Sequence, residues 1–243
     1  MQLPTSVWSY GVIDYRPVDL MGTTKRDDLF ARHHFSFAGY ARSDRMNWGS
    51  LRILNHNFLS PKANAVTEPL DHFDIVQWIL QGRVGHIGTL GPSSFARAGQ
   101  IQLISSGDGL LHATINPDNR TAEFLELWLP AADGHGPYFR AIGRFPGKQE
   151  SGQWVLIASG NLEDQALLLR APSRIWGARI EAGTQLDANF DPHSPYYMVS
   201  GSGRCVIGED YGLGPGDSLA LQGERQATIR AIDTTEILLV ETL

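Results

Sequence analysis

Short apolar runs, each closed off by glycine, proline, asparagine or serine, constrain this chain more than any other feature. SLRILNHNFL, FDIVQWIL, RVGHIGTL, QIQLIS, LLHATIN and EFLELWL follow one another between about Ser50 and Pro130. WVLIAS, QALLLR, SRIWGARIEA, PYYMVSGSGRCVIG, DSLALQG, QATIRAI and TEILLVETL continue the pattern from about Gln153 onwards. Runs of this length, rich in β-branched and aromatic residues, predict strands. Their even spacing predicts a sandwich or barrel rather than a parallel α/β sheet. The 26 glycines and 13 prolines are spread along all 243 residues, as frequent turns require. No long amphipathic helix is visible. KRDDLFARHHF alone predicts a helical turn or two, with Thr24 or Asp27 as a cap. The alternation along Phe124, Leu125, Glu126, Leu127, Trp128 and Leu129 is imperfect, which predicts a strand buried on both faces.

A polar, glycine-containing stretch, GRFPGKQESGQ, divides the chain into two β-rich halves, 1–145 and 146–243. Both halves share one punctuation. A strand ends on a glycine (Gly82, Gly201), a hairpin follows, and a glycine-marked turn opens the next strand (Gly99; Gly214 and Gly216). Shared punctuation points to a duplicated domain.

Chemistry concentrates in EPLDHFDIVQWILQG, residues 68–82, and GDGLLHATIN, residues 107–116. In an extended strand Glu68, Leu70, His72 and Asp74 lie on one side. If Glu68, His72 and Asp74 face a barrel interior beside His112, they form a mixed carboxylate and imidazole cluster. Such a cluster suits a divalent ion, or protons alone. His56, Leu70, Gln102 and Thr114 are the expected pocket-lining residues.

The chain resembles the pirin-like branch of the cupin superfamily. The resemblance rests on RHHFSFAGY with GSLRILNHNFLSP, on EPLDHFDIVQWILQG, and on GQIQLISSGDGLLHATINP. It covers the first half strongly and the second half weakly, through LGPGDS. It implies an all-β bicupin, two jelly-roll barrels packed face to face, with a metal in the N-terminal barrel only. The metal of the family is iron or another divalent ion (zinc, copper, nickel or manganese), held by two histidines of the first motif and a His and a Glu of the second. Here those positions carry Glu68, Leu70, His112 and Thr114. Leucine cannot ligate a metal, so the resemblance is to a subgroup that lacks the usual ligands.

Two functions follow. One is a noncatalytic or regulatory protein, with no cofactor, that binds a small molecule or a protein partner. The alternative is a metal-dependent dioxygenase of the quercetin 2,3-dioxygenase type with an atypical ligand set, since non-haem iron chemistry calls for imidazoles and a carboxylate. His33 and His34 are expected in packing or at the surface, and His86, His135 and His193 in exposed loops or hairpins. Trp78, Trp128 and Trp176 are expected in core or interdomain packing. Cys205 reads as a small buried hydrophobe, with a redox sensor as the competing reading.

Other classes are disfavoured. A net charge of −6 offers nothing to a nucleic-acid backbone. No apolar run reaches membrane-span length, and the N-terminus carries no signal-peptide pattern. The single cysteine fits a reducing compartment, so a cytoplasmic protein is expected, and the two barrels are expected to pack in one monomer. Neither a G-x-S-x-G elbow nor a nucleotide-binding glycine loop is present.

Overall fold

The computed structural model describes residues 11–64, 68–89, 91, 95–131 and 135–242. Among them the predicted runs form strands, and each half closes a large sheet over a small one. In the N-terminal half a seven-stranded sheet runs in the order Phe139–Arg144, Gln100–Ser105, Phe73–Gln81, Ala122–Pro130, Ile53–Leu59, Leu29–His33 and Gly22–Lys25. It faces a four-stranded sheet of Glu68–Leu70, Leu110–Ile115, Arg83–Gly88 and Ala96–Arg97. The C-terminal half repeats the plan. Val12–Arg16, Ser218–Gln222, Tyr196–Ser202, Thr235–Thr242, Ser173–Ile180, Trp154–Ser159 and Leu167–Leu168 form the seven-stranded sheet. Gln185–Asn189, Gln226–Ala231, Cys205–Ile207 and Tyr211–Leu213 form the four-stranded one. This is the all-β bicupin that the resemblance implies. No helix among the described residues is long and apolar enough to cross a membrane.

Two local expectations fail. KRDDLFARHHF is not helical: it turns through Asp27 and Asp28 into the strand Leu29–His33, which pairs with Gly22–Lys25. Thr24 caps nothing and instead meets His33 Nε2 through its hydroxyl at 2.8 Å. One strand also crosses from the first half to the second, because Val12–Arg16 pairs with Ser218–Gln222 in the C-terminal sheet. A boundary near residue 145 therefore leaves one arm of the first half in the second barrel.

The two large sheets pack on each other. Val76, Trp78, Leu103, Leu125 and Leu127 from one half share a single buried cluster with Ile157, Ile175, Tyr197, Leu238 and Val240 from the other. Burying each such side chain contributes about 1.5–3 kcal/mol. Trp78 stacks on Phe145, with ring centroids 4.0 Å apart and planes 10° from parallel. Gly201 lies beneath it, where a Cβ would come within 2.3 Å of the indole ring. Separate apolar clusters fill the two ends of the N-terminal barrel, Leu59, Ile79, Val84 and Phe124 at one and Leu70, Ile75, Ile104 and Leu110 at the other.

This arrangement buries both faces of the central strands, as predicted for residues 124–129. It also assigns alternate residues to different neighbours. Ile75, Gln77 and Ile79 point into the barrel, while Asp74, Val76 and Trp78 point at the second barrel. Asp74, expected as a metal ligand, is thus a fully buried interdomain acceptor. Its Oδ2 takes the backbone N–H groups of Arg170 and Ala171 at 2.6 and 2.8 Å. His56 likewise leaves the expected pocket. It lies on the interdomain face of its strand, with Nε2 2.8 Å from Glu123 Oε1 and Nδ1 close to Gly216.

Cys205 is buried in the second barrel, and burial, assisted by the Asp217 carboxylate, pushes its thiol up to about 12. The redox-sensor reading falls on that ground, because the thiolate is the reactive form. A thiol reagent at neutral pH is expected to leave native protein unlabelled and to label one thiol per chain after unfolding. Asp74→Ala strands two amides without an acceptor and is expected to cost about 2–4 kcal/mol, read as a lower midpoint in urea denaturation.

Candidate functional site

The site is a polar belt around the inside of the N-terminal barrel, between its two apolar ends. Strand register creates it. Gln102, Gln77, Glu126, Asn55 and His33 are directly opposed across successive strands, so all five project from the same face of the large sheet. Thr114 and His86 are opposed in the same way across the small sheet. His112, two residues from Thr114, shares its face.

Hydrogen bonds link the belt. Arg140 Nε donates to Gln102 Oε1 at 2.7 Å, and Gln102 Nε2 donates to Gln77 Oε1 at 2.7 Å. Gln77 Nε2 then donates to Thr114 Oγ1 at 2.9 Å and to Glu126 Oε2 at 2.6 Å. Trp128 Nε1 donates to the other Glu126 oxygen at 3.2 Å. Thr114 Oγ1 lies 3.3 Å from His112 Nε2, and His112 Nδ1 lies 2.8 Å from His86 Nδ1. Nearby, His33 Nδ1 donates to Asn55 Oδ1 at 2.7 Å.

A cavity of about 340 Å³ opens over this belt. His112, Thr114, Glu126 and Asn55 form its polar side, and Leu29, Phe37, Phe124 and Trp128 its apolar walls. The volume and the mixture of apolar walls with a few convergent polar groups suit a small organic ligand. The imidazoles are held neutral. Burial lowers His33 and His86, and burial followed by the neighbouring His86 brings His112 down to about 3.

Of the expected pocket residues, the cavity is lined by His112 and Thr114. Gln102 stands one bond behind, holding Gln77. Leu70 is packed in the apolar barrel end beside Leu110 and takes no part in the cavity. His72 sits in a turn with φ of +56°, which breaks the assumed alternation and turns its ring outward to solvent. Glu68 pairs with His112 in backbone register, and its side chain lies outside the described residues. His86, expected in an exposed hairpin, is 1% exposed inside the barrel. Trp128, expected in packing, packs against the Leu70–Leu110 end and is also a cavity wall. Glu126 and Asn55, which line the cavity, and Gln77, which is bonded to Glu126, are not singled out by the motifs. A polar residue repeatedly placed between apolar ones, as in FDIVQWIL and EFLELWL, is the signal that points to them.

The donor chemistry bears on a metal. His86 and His112 bring two neutral imidazoles together, the form that ligates metals. Among the described residues, no third His, Cys, Asp or Glu atom joins them within 4.8 Å. Leu70 and Thr114, which the sequence resemblance sets at two of the four ligand positions, supply neither an imidazole nor a carboxylate. The described residues therefore do not make up the family's ligand set.

The neutral histidines tie stability to pH. An unfolded chain protonates His112 near 6.5, whereas the native barrel resists the proton down to about 3. The unfolded state thus binds more protons in acid, and native stability is lost as pH falls through that window. Above about pH 6.5 the contribution is constant. A tenfold difference in proton affinity between the two states corresponds to about 1.4 kcal/mol, so the loss amounts to a few kcal/mol. Urea midpoints between pH 7.5 and 4 are expected to fall steeply for the natural protein and less steeply for His112→Asn.

Known proteins share this architecture. Residues 17–129 match the family described as Pirin, and residues 156–242 match the quercetinase C-terminal cupin domain. A pirin-like protein of Caulobacter vibrioides is 31% identical over 95% of this chain and 99% of its own length. The quercetin 2,3-dioxygenase of Escherichia coli K12 is 24% identical over 95% of this chain and 98% of its own. Among solved structures, the bacterial pirin YhhW of Escherichia coli in complex with nickel(II) superposes with a TM-score of 0.87 at 22% identity, covering 95% of this chain and 99% of that one. With strand order, a duplicated barrel and end-to-end similarity in agreement, the chain belongs to the pirin family of bicupins.

Proposed function

We propose that this pirin binds a small, planar, hydroxylated aromatic compound in its N-terminal barrel, and does so without a metal. The observation that carries the reading is the state of His112. Both of its ring nitrogens meet protein neighbours, His86 and Thr114, and Thr114 in turn accepts from Gln77. The position taken by a ligating carboxylate in the family resemblance is thus part of a hydrogen-bond relay. Phe37, Phe124 and Trp128 offer faces and edges to an aromatic ring, while Glu126, Asn55 and Thr114 offer partners to hydroxyl groups. In this reading the protein is a binder, and any regulatory role acts through the liganded barrel.

A metal-dependent quercetin 2,3-dioxygenase is the competing reading. It draws on the name of the Escherichia coli relative and on the adjacent imidazoles of His86 and His112. A bound metal would supply the site for activating substrate and oxygen. This chain's residues would orient the flavonol against the aromatic walls of Phe37, Phe124 and Trp128 and exclude water.

Quercetin separates the two. Chelator-stripped protein is expected to bind it with 1:1 stoichiometry in fluorescence titration. Trp128→Ala should weaken binding about tenfold, equivalent to about 1.4 kcal/mol. Protein loaded with iron(II) or nickel(II) under air is expected to leave the flavonol absorbance unchanged. Repeated turnover of quercetin with matching oxygen uptake would replace the binding function with the dioxygenase.

A further inference from the structure

The turn expected to feed a barrel metal contributes to a different cluster, on the outside of the molecule. His72, Asp108 and His135 come from three separate segments, yet their ligand atoms lie within 4.8 Å of one another. His135 Nδ1 donates to Asp108 Oδ1 at 3.1 Å. The rings of His72 and His135 stand 5.5 Å apart and nearly perpendicular, at 89°. All three residues are exposed.

Backbone hydrogen bonds bring these segments together independently of their side chains. His72 N–H donates to Gly107 O at 3.0 Å, and Ala131 N–H donates to His72 O at 2.8 Å. Asp108 N–H donates to Gly136 O at 3.1 Å, and Gly136 N–H returns a bond to Asp108 Oδ2 at 3.1 Å. The carboxylate thus keeps one oxygen anchored to the main chain while the other faces the imidazoles. Anchoring of that kind orients a ligating carboxylate. The left-handed backbone of His72 turns its ring away from the barrel and toward this cluster.

We propose that His72, Asp108 and His135 form a surface site for a divalent transition-metal ion of the zinc class, separate from the barrel cavity. Two imidazoles and one carboxylate are the ligands such ions prefer, and they disfavour magnesium and calcium, which require oxygen donors. Donors about 2.1 Å from a tetrahedral ion lie roughly 3.4 Å apart. The present spacing therefore closes with small rotations of exposed side chains. The ion takes the place of the His135–Asp108 hydrogen bond and leaves the bond from Gly136 intact. It also ties down the rim at the domain junction, because Arg170, whose own N–H reaches Asp74, donates from Nη2 to Pro137 O at 2.7 Å.

Zinc chloride titrated into tag-free, chelator-stripped full-length protein tests the site by calorimetry. One ion per chain is expected to bind in the micromolar range. Asp108→Asn, His135→Ala and His72→Asn should each weaken binding at least tenfold, while His112→Ala should leave it unchanged. Asparagine suits the comparison at His72, since it tolerates the left-handed backbone. Zinc should also raise the thermal midpoint of the natural protein and not that of His135→Ala. The proposal is overturned by an absence of binding heat up to millimolar zinc. It is equally overturned if the three surface variants bind as the natural protein does, or if binding disappears only in His112→Ala.

Discussion

Two sheets pressed against each other leave the strands between them without a solvent side. That constraint governs the rest of this molecule. On a strand such as Phe73–Gln81, each residue from Asp74 to Ile79 must satisfy either the barrel interior or the neighbouring barrel. Successive side chains take opposite roles. Gln77 reaches inward to Thr114 and Glu126, while Trp78 faces outward onto Phe145 and over Gly201. Asp74, three residues before Gln77, can be buried only because it accepts two N–H groups from the other half. A polar group in such a position without partners would be costly.

The same constraint accounts for the character of the cavity. Apolar clusters close the ends of the N-terminal barrel, and most of the inward polar residues share one register across the strands. Within that belt each polar group is held by another, so the relay from Arg140 to His112 fixes side-chain orientation. Burial of the relay holds the pKa values of its imidazoles down. A preorganised, partly aromatic surface with the Glu126 carboxylate and neutral imidazoles as acceptors suits a hydroxylated ring. The outer triad of His72, Asp108 and His135 obeys the opposite logic, since exposure leaves those groups free to move and to exchange partners.

Much of the architecture is legible in residue order. Short runs punctuated by glycine set the strand content, and Gly82, with φ of +75°, turns the chain where the pattern places a corner. The separation of His112 and Thr114 by one residue places both on the cavity wall. Other positions mislead. Asp74 and His56 lie on strands whose two faces are equally buried, so hydrophobicity gives no sign of which face looks inward. His86 lies in a run interrupted by glycines, which reads as an exposed hairpin, yet its register opposite Thr114 buries it. Strand alternation extended through His72 fails because the chain turns there.

Sequence by itself determined the β architecture, the duplication and the family, because these depend on local pattern and on spacing along the chain. Tertiary structure decided which polar residues meet. Gln77, Glu126, Asn55 and Thr114 join one belt, and Asp74 leaves it for the domain junction, because strand register and the pairing of the two sheets bring together residues far apart in sequence. Neither relation is encoded in a single strand. Each is set when several strands align and when the second barrel covers what would otherwise be a solvent face.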